Sequence, residues 1–195
     1  IETADAILIV GSNVRWEAPL VNVRLRKAAK RGAKVFVVGP HWETTFPAEF
    51  LGDDAAVLHD LPGHVTEALA KAERPAVIVG GAGLAKGVLD AALALPVQRD
   101  GWNGFNVLHM AASRMGGLML GYAQKGGIAD IAKAAPKVVL ALGADEVDWS
   151  AFGDSFKVYI GHHGDKGAHV ADVILPAAAF SEKDGTYVNT EGRVQ

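Results

Sequence analysis

Three stretches of this 195-residue chain carry side chains that could do chemistry. The first is Gly11-Ser-Asn-Val-Arg-Trp-Glu-Ala-Pro19. A glycine turn feeding a helix N-terminus points backbone N–H groups at an anion. The spacing is neither G-x-G-x-x-G nor a P-loop, so it gives nicotinamide or ATP binding no support. Glu17 just ahead of the helix suits a capping carboxylate, and the same charge repels a phosphate placed there. Capping and ligand binding both stand on these residues alone. The second stretch is Gly161-His162-His163-Gly164-Asp165. Adjacent side chains on extended backbone point apart. Two histidines on one metal therefore need a bent loop, and His169 is the only third imidazole nearby. The pair reads as hydrogen-bonding groups facing a cavity or a neighbouring domain, and no metal site is assigned. The third stretch is the tail, where Asn189, Glu191 and Arg193 form a dense polar set. Arg193 can clamp an anion or pair with Glu182 or Glu191. No nucleophile elbow is present, no catalytic residue is assigned, and Asp53-Asp54 reads as a solvated turn.

These groups need elements to position them. Unbroken apolar runs at 6–10, 34–38, 76–80, 137–142, 156–160 and 172–175 have the form of strands buried on both faces of a parallel sheet. Between them lie helical patterns. Val21, Leu25, Ala28 and Ala29 share one face after Pro19, and Gly32 closes that helix. Pro62 opens a second, with Val65, Ala68, Leu69 and Ala72 inward. A third spans Val107, Leu108, Ala111, Ala112, Met115, Leu118 and Met119, its methionines filling core. Residues 95–106 read as a long loop, and Gly80-Gly-Ala-Gly83 and Gly116-Gly117 as turns or close packing points. Alternating strands and helices predict an α/β fold, a doubly wound, mainly parallel sheet of Rossmann-like βαβ units. Two strand ends echo each other: Val10-Gly11-Ser12-Asn13 and Leu142-Gly143-Ala144-Asp145. Open α/β sheets bind ligands at such carboxyl ends, and ordinary turn chemistry produces the same pattern.

Composition narrows the classes. A net charge of −3 gives no broad basic surface, so nucleic acid is not an expected partner. With zero cysteines, the chain itself cannot form thiolate-bound zinc or iron–sulfur sites. No apolar run approaches the roughly 18–20 residues of a membrane-spanning helix. No signal peptide is visible. The start at Ile1 and the stop at Gln195 inside an apparent motif suggest a fragment, with lobes over 1–100 and 101–195.

The tail resembles the signature of the molybdopterin oxidoreductase family, from Ala171-Asp-Val-Ile-Leu-Pro176 through Glu182-Lys-Asp-Gly-Thr186 to Asn189-Thr-Glu-Gly-Arg-Val-Gln195. Gly11, Asn13 and Pro19, followed by Arg31-Gly-Ala-Lys-Val35, are similar to that family's first nucleotide-contacting segment. Residues Arg15 to Lys27, and Gly161-His-His-Gly-Asp-Lys-Gly-Ala168, look like the branch formed by the large iron–sulfur subunit of NADH:quinone oxidoreductase (complex I). The family implies a fold of two pseudo-equivalent halves, each holding one guanosine end of a molybdenum bis-pterin cofactor in active members. By that resemblance Gly11, Ser12, Asn13, Gly143 and Asp145 occupy the nucleotide-end positions, with His162, His163, Asn189 and Arg193 completing a vestigial cofactor-binding set. Active relatives carry a Pro-Gly-Thr-Asp-like turn where this chain has Leu61-Pro-Gly-His-Val65, with no Asp, so loss of the cofactor is the implied state. The resemblance further implies a non-catalytic docking domain with no cofactor of its own. The full-length subunit's 4Fe–4S and 2Fe–2S clusters would be held elsewhere, with other hydrophilic-arm subunits as partners and a peripheral place on the cytoplasmic or matrix side of the membrane. The alternative is a fragment of an active formate dehydrogenase or nitrate reductase. A generic nucleotide-binding module is a third reading, from fold class alone.

Overall fold

Ala6–Val10 form β1, every residue of it buried. Short helix α1 (Val14–Glu17) and α2 (Pro19–Lys30) lead into β2 (Lys34–Val38). Next come β3 (Glu49–Gly52), a 3-10 turn at Ala55–His59, α3 (Gly63–Lys71), β4 (Pro75–Val79) and α4 (Val88–Leu93). A two-residue hairpin, β5 (Gln98–Arg99) with β6 (Trp102–Asn103), precedes β7 (Phe105–Val107). This computed structural model describes residues 1–81, 87–112, 114–122, 125–189 and 192–195. It divides into two units, Ile1–Ala112 and Ser113–Gln195.

The first unit is a five-stranded sheet in the order β3-β2-β1-β4-β7, parallel throughout. The order reverses beside β1, as doubly wound folds require for a crevice at the carboxyl ends. One sheet face carries Ile7, Ile9, Val35, Val37 and Ile78 and packs on Leu25 and Ala28 of α2. The other carries Leu8, Val10, Phe36, Val38, Val77 and Val79 and packs on Val65 and Leu69 of α3 and Ala92 of α4. Each such fully buried aliphatic side chain contributes about 1.5–3 kcal/mol. Asn22, placed by the periodicity on the outer face of α2, is instead buried, its Nδ2 donating to Thr45 Oγ1 at 3.1 Å. That bond ties α2 to the segment carrying Trp42 and Phe46.

The stretch 95–106, expected as a loop, holds β5, β6 and the first residues of β7. Gly104 makes this possible: a Cβ there would lie 1.9 Å from the Pro75 carbonyl oxygen. Its own carbonyl accepts from Val77 N at 2.8 Å. The expected helix from Val107 to Met119 is likewise corrected. Val107 completes β7 against Val79. Helix α5 covers only Arg114–Met119, with no buried residue; Met119 is exposed and Met115 half-buried, not core. Phe105 and Val107 fit a strand edge, and Gly116-Gly117 weaken the helix that follows.

In the second unit, α6 (Gly127–Lys133) precedes β8 (Val138–Leu142), a 3-10 turn (Trp149–Phe152), β9 (Phe156–Gly161), α7 (Lys166–Val170) and β10 (Val173–Pro176). The strands form a parallel sheet ordered β10-β9-β8. Ala141, Trp149, Phe152 and Tyr159 make its core on one face. Val138, Leu140, Leu142 and Phe156 on the other face are 47–76% exposed. Burial on both faces thus holds for the first sheet and fails for the second.

Candidate functional site

Gly11 ends β1 with φ +59°, and its N–H donates to Val38 O across the sheet at 2.8 Å. Gly143 ends β8 with φ +60°, and its N–H donates to Ile160 O at 2.7 Å. The echo visible in the sequence is thus a repeated backbone device, one in each unit. At both ends a left-handed residue turns the chain off the strand while its amide stays in the ladder. The turn after β1 lies directly over the end of β4. A Cβ on Gly80 would sit 2.4 Å from Gly11 O and 2.6 Å from Ser12 Cβ, so only glycine admits the crossing. Ala82 and Gly83 of the same glycine run lie outside the described residues.

Glu17 closes the first loop. Its carboxylate accepts from the Ser12 hydroxyl and from the Asn13 backbone N–H, each at 2.9 Å. Two donors that could face an anion at this turn, the Ser12 hydroxyl and the Asn13 N–H, are therefore already engaged by the protein's own negative charge. Beside this loop a cavity of about 390 Å³ opens over the ends of β1 and β2. Gly11, Ser12, Asn13, Glu17, His41, Trp42 and Asp53 contribute to its wall, which among the described residues includes two carboxylates and no lysine or arginine. Among the described residues, Asn13 Oδ1 and Trp42 Nε1, an uncharged acceptor and an uncharged donor, are buried without partners. The site therefore combines anionic groups with uncharged polar ones, the opposite of a phosphate cradle.

In the second unit Asp145 repeats the closure. Its carboxylate accepts from Gly167 N at 2.6 Å and Lys166 N at 3.2 Å, the first amides of α7. Gly167 is required there, because a Cβ would lie 2.7 Å from the Tyr159 ring. Tyr159 is buried and donates to His163 O at 2.8 Å. Its hydroxyl pKa is raised, first by burial and then by the charges of Asp145 and Asp165. His162 and His163 stack edge to face with ring centres 4.5 Å apart, and both side chains are exposed. Among the described residues no group of three or more histidines or carboxylates could hold a metal.

The tail forms a small hairpin. Tyr187 and Gln195 exchange backbone hydrogen bonds, and Val188 bridges Val194. Asn189 Oδ1 accepts from Arg193 N at 2.9 Å, and Asn189 N donates to Arg193 O at 3.0 Å, so these two are brought together locally. Thr190 and Glu191 lie outside the described residues. Glu182 accepts from Ala179 N at 3.0 Å.

Sequence reasoning missed His41, Trp42 and Asp53. Gly39-Pro40 marked the strand end that brings the first two to the cavity. Asp53 follows Gly52, whose carbonyl accepts from Gly39 N at 2.8 Å, and that pairing delivers its carboxylate to the same edge. Asp54 caps the 3-10 turn through Ala56 N at 2.8 Å. His64 is turned to Glu49 at 3.0 Å and is not in the cavity wall.

The sequence profile of the molybdopterin oxidoreductase family matches residues 1–195. The 78 kDa subunit of mitochondrial NADH-ubiquinone oxidoreductase from Neurospora crassa is 45% identical, with the whole chain aligned to 28% of that protein. The Candida albicans 78 kDa subunit is 44% identical over the same shares. The 75 kDa subunit from Reclinomonas americana is 39% identical, the whole chain covering 30% of it. The chain thus spans under a third of the length of these relatives. Among solved structures, the X-ray structure of the formyltransferase/hydrolase complex from Methylorubrum extorquens with methylofuran matches with a TM-score of 0.59 and 15% identity. That match covers 98% of this chain and 68% of the other, and it speaks to fold alone.

Proposed function

From the premise that the chain belongs to the molybdopterin oxidoreductase family, we propose that it is a non-catalytic structural and docking domain. Its place is the large iron–sulfur subunit of an NADH:quinone oxidoreductase. Electrons pass from NADH to quinone through 4Fe–4S and 2Fe–2S clusters that other parts of that subunit hold. Other subunits of the hydrophilic arm are the partners, on the cytoplasmic or matrix side of the membrane. The similarity to 75 and 78 kDa NADH-ubiquinone oxidoreductase subunits supports this branch over a formate dehydrogenase or nitrate reductase.

The observation that carries the reading is the double closure by Glu17 and Asp145. The residues present do not fit the phosphates of a pterin guanine dinucleotide. At Gly11, Ser12, Asn13, Gly143 and Asp145 the positions that serve a nucleotide in active relatives are used to brace the fold. His162, His163, Asn189 and Arg193 are the remaining members of this vestigial set. Elemental analysis of the full-length subunit purified in its complex tests the reading. The expected result is iron without molybdenum, and stoichiometric molybdenum would favour the formate dehydrogenase or nitrate reductase alternative.

A further inference from the structure

We propose that the outer ridge of α2, together with Trp16 of α1, docks onto an acidic protein surface. The proposal rests on the docking role above and gives that role a location. Trp16 and Leu20 are each 79% exposed and Val23 is 49% exposed, in a unit whose other large apolar side chains are mostly buried. Leu20, Val23, Arg24, Lys27 and Lys30 recur at three- and four-residue spacings, so they form one continuous ridge on the helix. The inward face is used by Leu25 and Ala28.

Charge decides the partner's chemistry. Arg24, Arg26, Lys27 and Lys30 lie in α2, Arg31 caps it, and the helix holds no acid. Glu2 is the carboxylate paired to this ridge, taking Lys27 at 3.0 Å and Arg24 at 3.6 Å. The Arg31 guanidinium donates to the backbone oxygen of Glu2 at 3.2 Å. Among the described residues, α2 and its cap thus carry five cations against one paired carboxylate, Glu2, in a chain whose net charge is −3. An exposed tryptophan and leucine with arginines around them have the composition of an interface anchor. A partner with a shallow apolar pocket rimmed by Asp and Glu complements it. A lipid surface would need a broad apolar face along the helix, whereas here the apolar residues sit at one end and the cations run along the rest.

The test uses the full-length subunit in its native assembly, with Leu20 replaced by the photoreactive residue p-benzoylphenylalanine. Irradiation is expected to join it to a different polypeptide, at a peptide rich in Asp and Glu. Adding Arg26→Glu and Lys30→Glu should lower that adduct by about tenfold or more, the effect of like charges facing across an interface. An adduct to lipid or to the same subunit, no adduct, or a yield indifferent to the charge reversals would each overturn the proposal. Molybdenum in the same preparation would defeat the functional reading instead, whatever the adduct.

Discussion

Replacing Glu17 tests the closure of the first loop in isolation. Glu17→Ala removes the acceptor of the Ser12 hydroxyl, and Ser12 is only 6% exposed. A hydroxyl left unsatisfied there costs about 1–3 kcal/mol. The Asn13 N–H bond lies at the surface, so its loss adds less, roughly 0.5 kcal/mol. Together the loss is about 2 kcal/mol, which for a unit near one hundred residues lowers the melting temperature by roughly 8 °C. Glu17→Gln is the discriminating control. The amide oxygen still accepts from Asn13 N–H, and the amide nitrogen donates to Ser12 Oγ, so the loss should stay below about 0.5 kcal/mol. Thermal unfolding followed by circular dichroism at neutral pH reads both. An alanine variant melting within about 1 °C of the parent, or a glutamine variant as damaged as alanine, would refute the reasoning.

Other expectations follow from the same geometry. Gly80→Ala drives a methyl into Gly11 O and Ser12, and should destabilise the first unit by about 2–3 kcal/mol in denaturant titration. Asp145→Ala strips the acceptor from Lys166 and Gly167, and should speed hydrogen exchange of those two amides with little change in β1 or β4. Tyr159, whose folded pKa is raised, holds its proton more tightly folded than unfolded. Its contribution is therefore complete below the ordinary tyrosine range and is lost as pH rises from there through the raised folded value. Stability measured from pH 9 upward should fall more steeply in the parent than in Tyr159→Phe. At neutral pH the phenylalanine variant should be weaker by about 1 kcal/mol, the value of its bond to His163 O.

Much of this was legible in the residues. β1, β2 and β4 are apolar runs, save Lys34 at the start of β2, each followed by glycine, and all but Lys34 are buried. The Gly11 and Gly143 echo was visible too, because a left-handed turn at a strand end has few residue choices. Glu17, expected to cap the helix that opens at Pro19, instead reaches back to Ser12 and Asn13, and α2 carries no side-chain cap. What could not be read depends on distant pairing. Glu49–Gly52 is too short and too polar at its start to signal a strand, and without β3 Asp53 has no reason to approach Asn13. Asn22 turned inward because Thr45 awaited it, a partner that helical periodicity does not reveal. In β8 every residue is apolar, so Val138, Leu140 and Leu142 gave no sign that their face would be exposed.

The most direct test of the closed cradle is a thermal melt of the chain with guanosine diphosphate at millimolar concentration. Glu17 and Asp145 already engage the Ser12 hydroxyl and the amides of Asn13, Lys166 and Gly167, so no shift is expected. Ligand at 100 times its dissociation constant would add about 2.7 kcal/mol, and a melt raised by several degrees and abolished by Asn13→Ala or Asp145→Ala would contradict it.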